Sequence, residues 1–215
     1  MTDRPMIFSA PMIRALLADR KTMTRRVLDP QPPVDWKPIN RLVEIHRCVD
    51  GEPVEPLRKR DTLGMGWTEE DGFNGYISRV LPGDRLWVRE AWQIPCLCPI
   101  QYRATATERI GHWNPADGPW RSPIHMKRSY SRLTLIVTDV RVQRLQDISD
   151  ADAIAEGVGP FANSQTIDCD TESPRRVYAG IWNTLHGPDA WAQNPWVCAI
   201  SFRCVKANID YQGGA

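Results

Sequence analysis

Apolar positions in this chain recur in short, separated blocks. Ile7-Phe8-Ser9 reads as a short opening strand that leads into a helix cap. Ser9 supplies the cap, and Pro11 suits the first turn behind it. Ile13, Leu16 and Leu17 give that helix one apolar face, with its end predicted near Asp19. Thr22 to Val27 reads as a strand. Leu81-Pro82-Gly83-Asp84 is a turn, because Pro presets φ and Gly tolerates φ > 0. Arg85 to Glu90 follows as a strand, with Leu86 and Val88 on one face and Arg85, Trp87 and Arg89 on the other. Leu133 to Val142 is the longest β-branched run and predicts another strand. Ser149, with Asp152 three residues on, caps a short helix that Gly157 stops. Ser173-Pro174 opens a further helix, whose Tyr178, Ile181, Trp182 and Leu185 share one face and which Gly187 ends. Pro195 to Val205 alternates as a closing strand, with Trp196, Cys198, Ile200, Phe202 and Cys204 opposite Val197, Ala199, Ser201 and Arg203.

The stretches between these blocks are less regular. Four prolines between Asp29 and Pro38 predict irregular chain. From about 40 to 80 the pattern is poor, with weak strands only at Leu42–His46 and Gly75–Val80. Five prolines between residues 93 and 123 predict loop, with a strand at Gln101–Ala104. The tail from Lys206 is polar and is expected to fray. Separated strands with helices at a few joints point to an α+β protein, a small mixed β-barrel whose ends the helices close. The expected organisation is a single domain over residues 1–206, with insertions at about 30–80 and 93–120 and a flexible tail at 207–215.

Composition narrows the class. The chain has 215 residues, 42% hydrophobic and 25% charged, which fits one globular domain and excludes a disordered, collagen-like or coiled-coil chain. No run approaches the roughly 18 apolar residues of a membrane span. Ser9 and Pro11 interrupt the N-terminus too early for a signal-peptide core, so a cytoplasmic protein is expected. Net charge is only +1, but its distribution is uneven. Five basic residues lie between Arg14 and Arg26 and six between Arg121 and Arg144, each set facing a single acid, whereas Leu145 to Glu172 holds seven acids and no base. Such segregation forms either a basic face for nucleic acid or solvated faces of opposite sign. His46-x-Cys48 with Cys96-x-Cys98 offers four soft ligands, although structural zinc usually has two or more residues between its cysteines. No metal or cofactor is expected. Cys198 and Cys204 sit in a strand pattern and read as small core residues.

Leu17-Ala18-Asp19-Arg20-Lys21-Thr22-Met23-Thr24-Arg25-Arg26 resembles the ASCH domain family, a group of PUA-like β-barrels whose signature is G-x-K-x-x-E-x-R at the join of first helix and strand. Lys21 and Arg26 match that signature, Asp19 stands at its Gly and Thr24 at its Glu. The Thr is similar to the subgroup of small bacterial N4-acetylcytidine amidohydrolases, which read G-R-K-T-x-T-x-R. Pro82–Glu90, Ser122–Met126, the run from Val140 to Gly157 and Asn194–Val197 resemble the larger ASCH-like proteins of phages and prophages. The resemblance implies that Lys21, Thr24 and Glu156 are catalytic, and that the partner is RNA, a modified nucleoside or DNA.

The implied chemistry is coherent. A Thr hydroxyl is a weak nucleophile and needs a base beside it. A Lys serves only if its pKa falls well below about 10.4, and burial with like charges at Arg20, Arg25 and Arg26 acts in that direction. Glu156 would accept or return the proton, or hold the cytosine amine. Lys21 and Thr24 point the same way only if the helix-to-strand join lies between them. The alternatives stay open: Lys21 solvating a helix end or contacting phosphate, Thr24 as an ordinary strand residue, Glu156 as a solvated carboxylate. Arg20, Arg25, Arg26, Trp87, Arg89, Glu90 and His125 are candidates for binding substrate or nucleic acid, Glu90 either lining the pocket or pairing with Arg89. Loop tryptophans suit base stacking or plugging of the barrel. Besides the amidohydrolase, a non-catalytic RNA- or DNA-binding module and a ribonuclease are the competing classes.

Overall fold

A computed structural model describes residues 2–29, 31–32, 80–95, 99–106, 119–158 and 173–211, together with the strand backbone of 38–42, 46–49, 52–56, 63–65 and 76–77. In chain order the elements are β1 (Asp3–Ile7), α1 (Ala10–Leu17), β2 (Met23–Val27), β3 (Pro38–Leu42), β4 (His46–Val49), β5 (Glu52–Pro56), β6 (Leu63–Met65) and β7 (Tyr76–Ile77). There follow β8 (Arg85–Arg89), β9 (Trp92–Gln93), β10 (Gln101–Tyr102), β11 (Thr134–Arg144), α2 (Asp150–Ala155), α3 (Pro174–His186) and β12 (Trp196–Val205). The class is α+β, as expected. The principal sheet is mixed and five-stranded, in the order β1-β8-β11-β12-β2. A barrel closes only when its first and last strands pair. Among the described residues β1 and β2 do not, so the sheet is open where a small barrel was expected.

The chain groups into two compact units, each drawn from separated segments. Unit 1 comprises residues 1–22, 83–136 and 202–215. Its β1 runs parallel to β8, from Asp3 opposite Arg85 to Ile7 opposite Arg89, and β8 is antiparallel to the start of β11. Phe8, Ile13, Leu16, Leu86, Val88, Leu133 and Leu135 are buried, so the apolar faces of α1 and β8 fall where their periodicity put them. Trp87 is buried too, so β8 is covered on more than the one face predicted. Gly83 takes φ +87 in the predicted turn, a conformation that a side chain would strain. Residues 207–211 are held in place rather than frayed. Ile209 is buried, the Asn208 amide donates to the Arg128 and Ser131 carbonyls at 2.9 and 2.6 Å, and Arg128 bridges Asp3 and Asp210 at 2.6 Å each. A polar composition predicts solvation, and here its polar groups found partners instead.

Unit 2 comprises residues 23–82 and 137–201. Its core gathers Leu145, Ile148, Ala153, Val158, Val177, Tyr178, Trp182, Ala190 and Val197. α3 joins that core through Val177, Tyr178 and Trp182, whereas Leu185 in its last turn stays 51% exposed and departs from the predicted stripe. β12 pairs with β2 from Val197–Val27 to Ser201–Met23. Trp196 to Ile200 are all buried, so alternation marks no solvent face there, as expected of a strand inside a sheet covered on both sides. Among its described residues the poorly patterned insertion holds five strands rather than two weak ones, in two small antiparallel sheets: β3-β6-β7 and β4-β5. Prolines at Pro38, Pro53 and Pro56 hid them, yet Pro is tolerated in edge strands and at strand starts.

Candidate functional site

Unit 2 carries a concentrated set of buried charge. β2 buries Met23, Thr24 and Arg25 and exposes Arg26 and Val27. α2 begins where Ser149 Oγ accepts the Asp152 backbone N–H at 3.1 Å, the cap the sequence predicts. Asp152 and Glu156 are four residues apart and share a helix face. The Arg25 guanidinium meets both: Nη2 lies 2.7 Å from Asp152 Oδ2 and Nη1 3.1 Å from Glu156 Oε1. Arg141 Nη2 reaches the two Asp152 oxygens at 3.2 and 3.3 Å. Met23 Sδ accepts from Arg25 Nη1 at 3.3 Å, so Met23 and Arg25 share one face of β2.

Tyr178 on α3 closes the group. Its phenol is pushed far above the ordinary range, by burial first and then by the Glu156 charge and a hydrogen bond to Glu156, with Arg25 and Arg26 opposing. The phenol therefore stays protonated and donates to the carboxylate. Arg26 is open by area, but the surroundings of its charge are crowded. Desolvation lowers its pKa, against the pull of Glu156 and Tyr178. Adjacent residues alternate across a strand. Glu156 therefore interacts both with Arg25 on one face of β2 and with Arg26, which shares the other face with Thr24. His186 stacks on Trp182 at 4.1 Å and is lowered by burial first, then by Arg26. Neither Tyr178, read as a core position, nor Arg141, read as a strand position, stood out in the sequence. The four-residue spacing of Asp152 and Glu156 was the signal for a shared basic partner.

The remaining candidates lie in unit 1. Lys21 follows α1, is 1% exposed, and its backbone N–H bonds the Ala15 carbonyl at 3.2 Å. The connection between α1 and β2 spans residues 18–22, so Lys21 lies within the join and Thr24 on the strand. Arg20 and His125 are exposed. Trp87 stacks under the Arg89 guanidinium at 5.1 Å, and Arg89 Nη2 donates to the carbonyls of Ile124 and Met126, the latter at 3.1 Å. Glu90 pairs with Arg132 rather than with Arg89, in a two-bond fork of 2.8 and 2.9 Å. Arg132 also lies 4.0 Å above the Tyr102 ring and donates to Thr105 Oγ1. Arg89 is drawn instead to the carbonyls of the 124–126 loop.

Of the soft-ligand set, the side chains of His46, Cys48, Cys96 and Cys98 lie outside the described residues. So do Trp36, Trp67 and Trp113. Cys198 is buried as expected, whereas Cys204, expected in the core as well, is only half-buried near the end of β12. The Cys204 thiol is pushed up to about 11, by burial first and by Asp19, with Lys206 opposing. No family model matches the chain, and no curated protein or solved structure is similar enough to match it.

Proposed function

We propose that this is an ASCH-type protein acting on a nucleobase or nucleoside, as an amidohydrolase that removes the acyl group from N4-acylated cytosine. Lys21, Thr24 and Glu156 take the roles that the resemblance assigns them. One observation supports this reading above the others: these three polar residues are 1%, 3% and 7% exposed. Burying a Lys and a carboxylate costs free energy, and buried titratable groups of this kind concentrate at functional sites. In the proposed reaction the Thr24 hydroxyl attacks the acyl carbon and passes its proton to the Lys21 amine. The C–N bond breaks, the cytosine amine leaves with that proton, and water then cleaves the acyl-Thr24 ester to release the carboxylic acid. Glu156 holds the exocyclic amine.

The test is incubation of the purified protein with N4-acetylcytidine and chromatographic detection of cytidine. Release is expected from the parent. Thr24→Ala should lower it by about 10²–10⁴-fold while keeping the parent's thermal unfolding curve, and Glu156→Gln should lower it similarly but also lower thermal stability, because it removes the charge that the buried Arg25 pairs with. A second reading, a non-catalytic RNA- or DNA-binding module, is favoured by a different observation: the Glu156 carboxylate already holds Arg25 and Tyr178. That reading stands if the parent releases no cytidine but binds an oligonucleotide with an affinity that falls steeply with salt.

A further inference from the structure

We infer that Arg25 is a positioning residue, which fixes the Glu156 carboxylate for the proposed reaction from behind the site. The inference rests on the amidohydrolase reading above. Glu156 caps the C-terminal end of a six-residue helix, where backbone structure alone does not select a side-chain rotamer. Arg25 supplies the missing constraint. Its guanidinium spans one helical turn, with Nη2 on Asp152 and Nη1 on Glu156. Asp152 is itself anchored: its backbone N–H bonds Ser149 Oγ and its oxygens meet Arg141. The fixed group is therefore Asp152, the rigid link is the planar guanidinium, and the held group is Glu156. Tyr178 adds a donor to the same carboxylate. The Arg25 side chain has no exposed surface, so it does not reach a nucleic acid in solution. Lys does not reproduce the arrangement, because one ammonium is a point charge and cannot fork to two carboxylates in a set plane.

The experiment compares the parent, Arg25→Lys and Asp152→Asn on N4-acetylcytidine, with kcat and KM measured separately and folding checked by circular dichroism. Arg25→Lys should lower kcat by about 10–100-fold with KM within about threefold, the signature of a misaligned group rather than a lost substrate contact. Asp152→Asn keeps the shape and removes one charge of the anchor. Its kcat should fall by about 3–10-fold, and it carries the test if Arg25→Lys does not fold. A folded Arg25→Lys with parental kcat, or with raised KM alone, overturns the inference and leaves the amidohydrolase reading intact. A parent that releases no cytidine removes both.

Discussion

Asp19 shows how much one residue can settle. The Arg20 N–H bonds the Ala15 carbonyl at 2.9 Å and the Asp19 N–H bonds the Leu16 carbonyl at 3.1 Å, which is the Schellman ending of a helix. That ending requires a left-handed residue, and Asp19 supplies it with φ +55. Gly is the usual residue at such an ending, and here Asp takes the same conformation. Asp tolerates it better than most side chains, and its exposed pair with Lys206 at 2.6 Å adds little. Asp19→Ala should be less stable than Asp19→Gly by about 1 kcal/mol in urea unfolding, because only Gly enters this region without strain. Equal stabilities would show that the turn relaxes. Tests of Thr24, Glu156 and Arg25 belong to the same scale, since each concerns one functional group and its immediate donors.

At the level of elements, cap positions and turns were legible and pairings were not, although of the three cap serines Ser149 accepts a capping N–H while the Ser9 and Ser173 side chains make no such bond. Ser149, Gly83 and Gly187 act within four residues of themselves, so their chemistry is written locally. The β4-β5 pair carried a local signal as well, the Asp50-Gly51 dipeptide between the strands, which the surrounding prolines and charges obscured. The docking of the last segment had no such signal. Its anchor is Arg128 between Asp3 and Asp210, with Arg85 holding Asp3 at 2.7 Å through two bonds. For Asp3, burial raises the pKa, but the hydrogen bonds and charges of Arg85 and Arg128 outweigh it and the net shift is downward. Asp210 is lowered as well, chiefly by its hydrogen bond to Arg128. A carboxyl lowered in the folded state stabilises above its unfolded value, about 3.9, and that contribution is lost as pH falls through the folded value. Urea unfolding at pH 6, 4 and 3 should show stability falling with acid, and Asp3→Asn should flatten the fall. An unchanged pH profile in that variant would remove Asp3 from the explanation.

For the whole molecule, the chain passes between its two units four times, after residues 22, 82, 136 and 201. β11 and β12 each have residues in both units. A strand ladder melts poorly in halves, so heating should give one transition in which calorimetric and van't Hoff enthalpies agree. Two resolved transitions would show that the units unfold separately. The order of elements along the chain does not by itself reveal which segments gather together.

The division between sequence and structure follows the range of the interactions. Residues 10–29, 81–90 and 133–158 determined their own helices, turns and strands, because steric limits, caps and apolar periodicity act over a few neighbours, whereas the opening strand, read at Ile7–Ser9, lies at Asp3–Ile7, where its pairing with β8 sets it. Tertiary structure alone decided that Glu90 takes Arg132, 42 residues away, and that Arg25 takes Glu156, 131 residues away. It likewise decided that the principal sheet stays open and that Asn208 and Ile209 are buried. A charged side chain can be solvated or paired at similar cost, and a strand edge accepts any partner of suitable register. Only the meeting of distant segments selects between those outcomes.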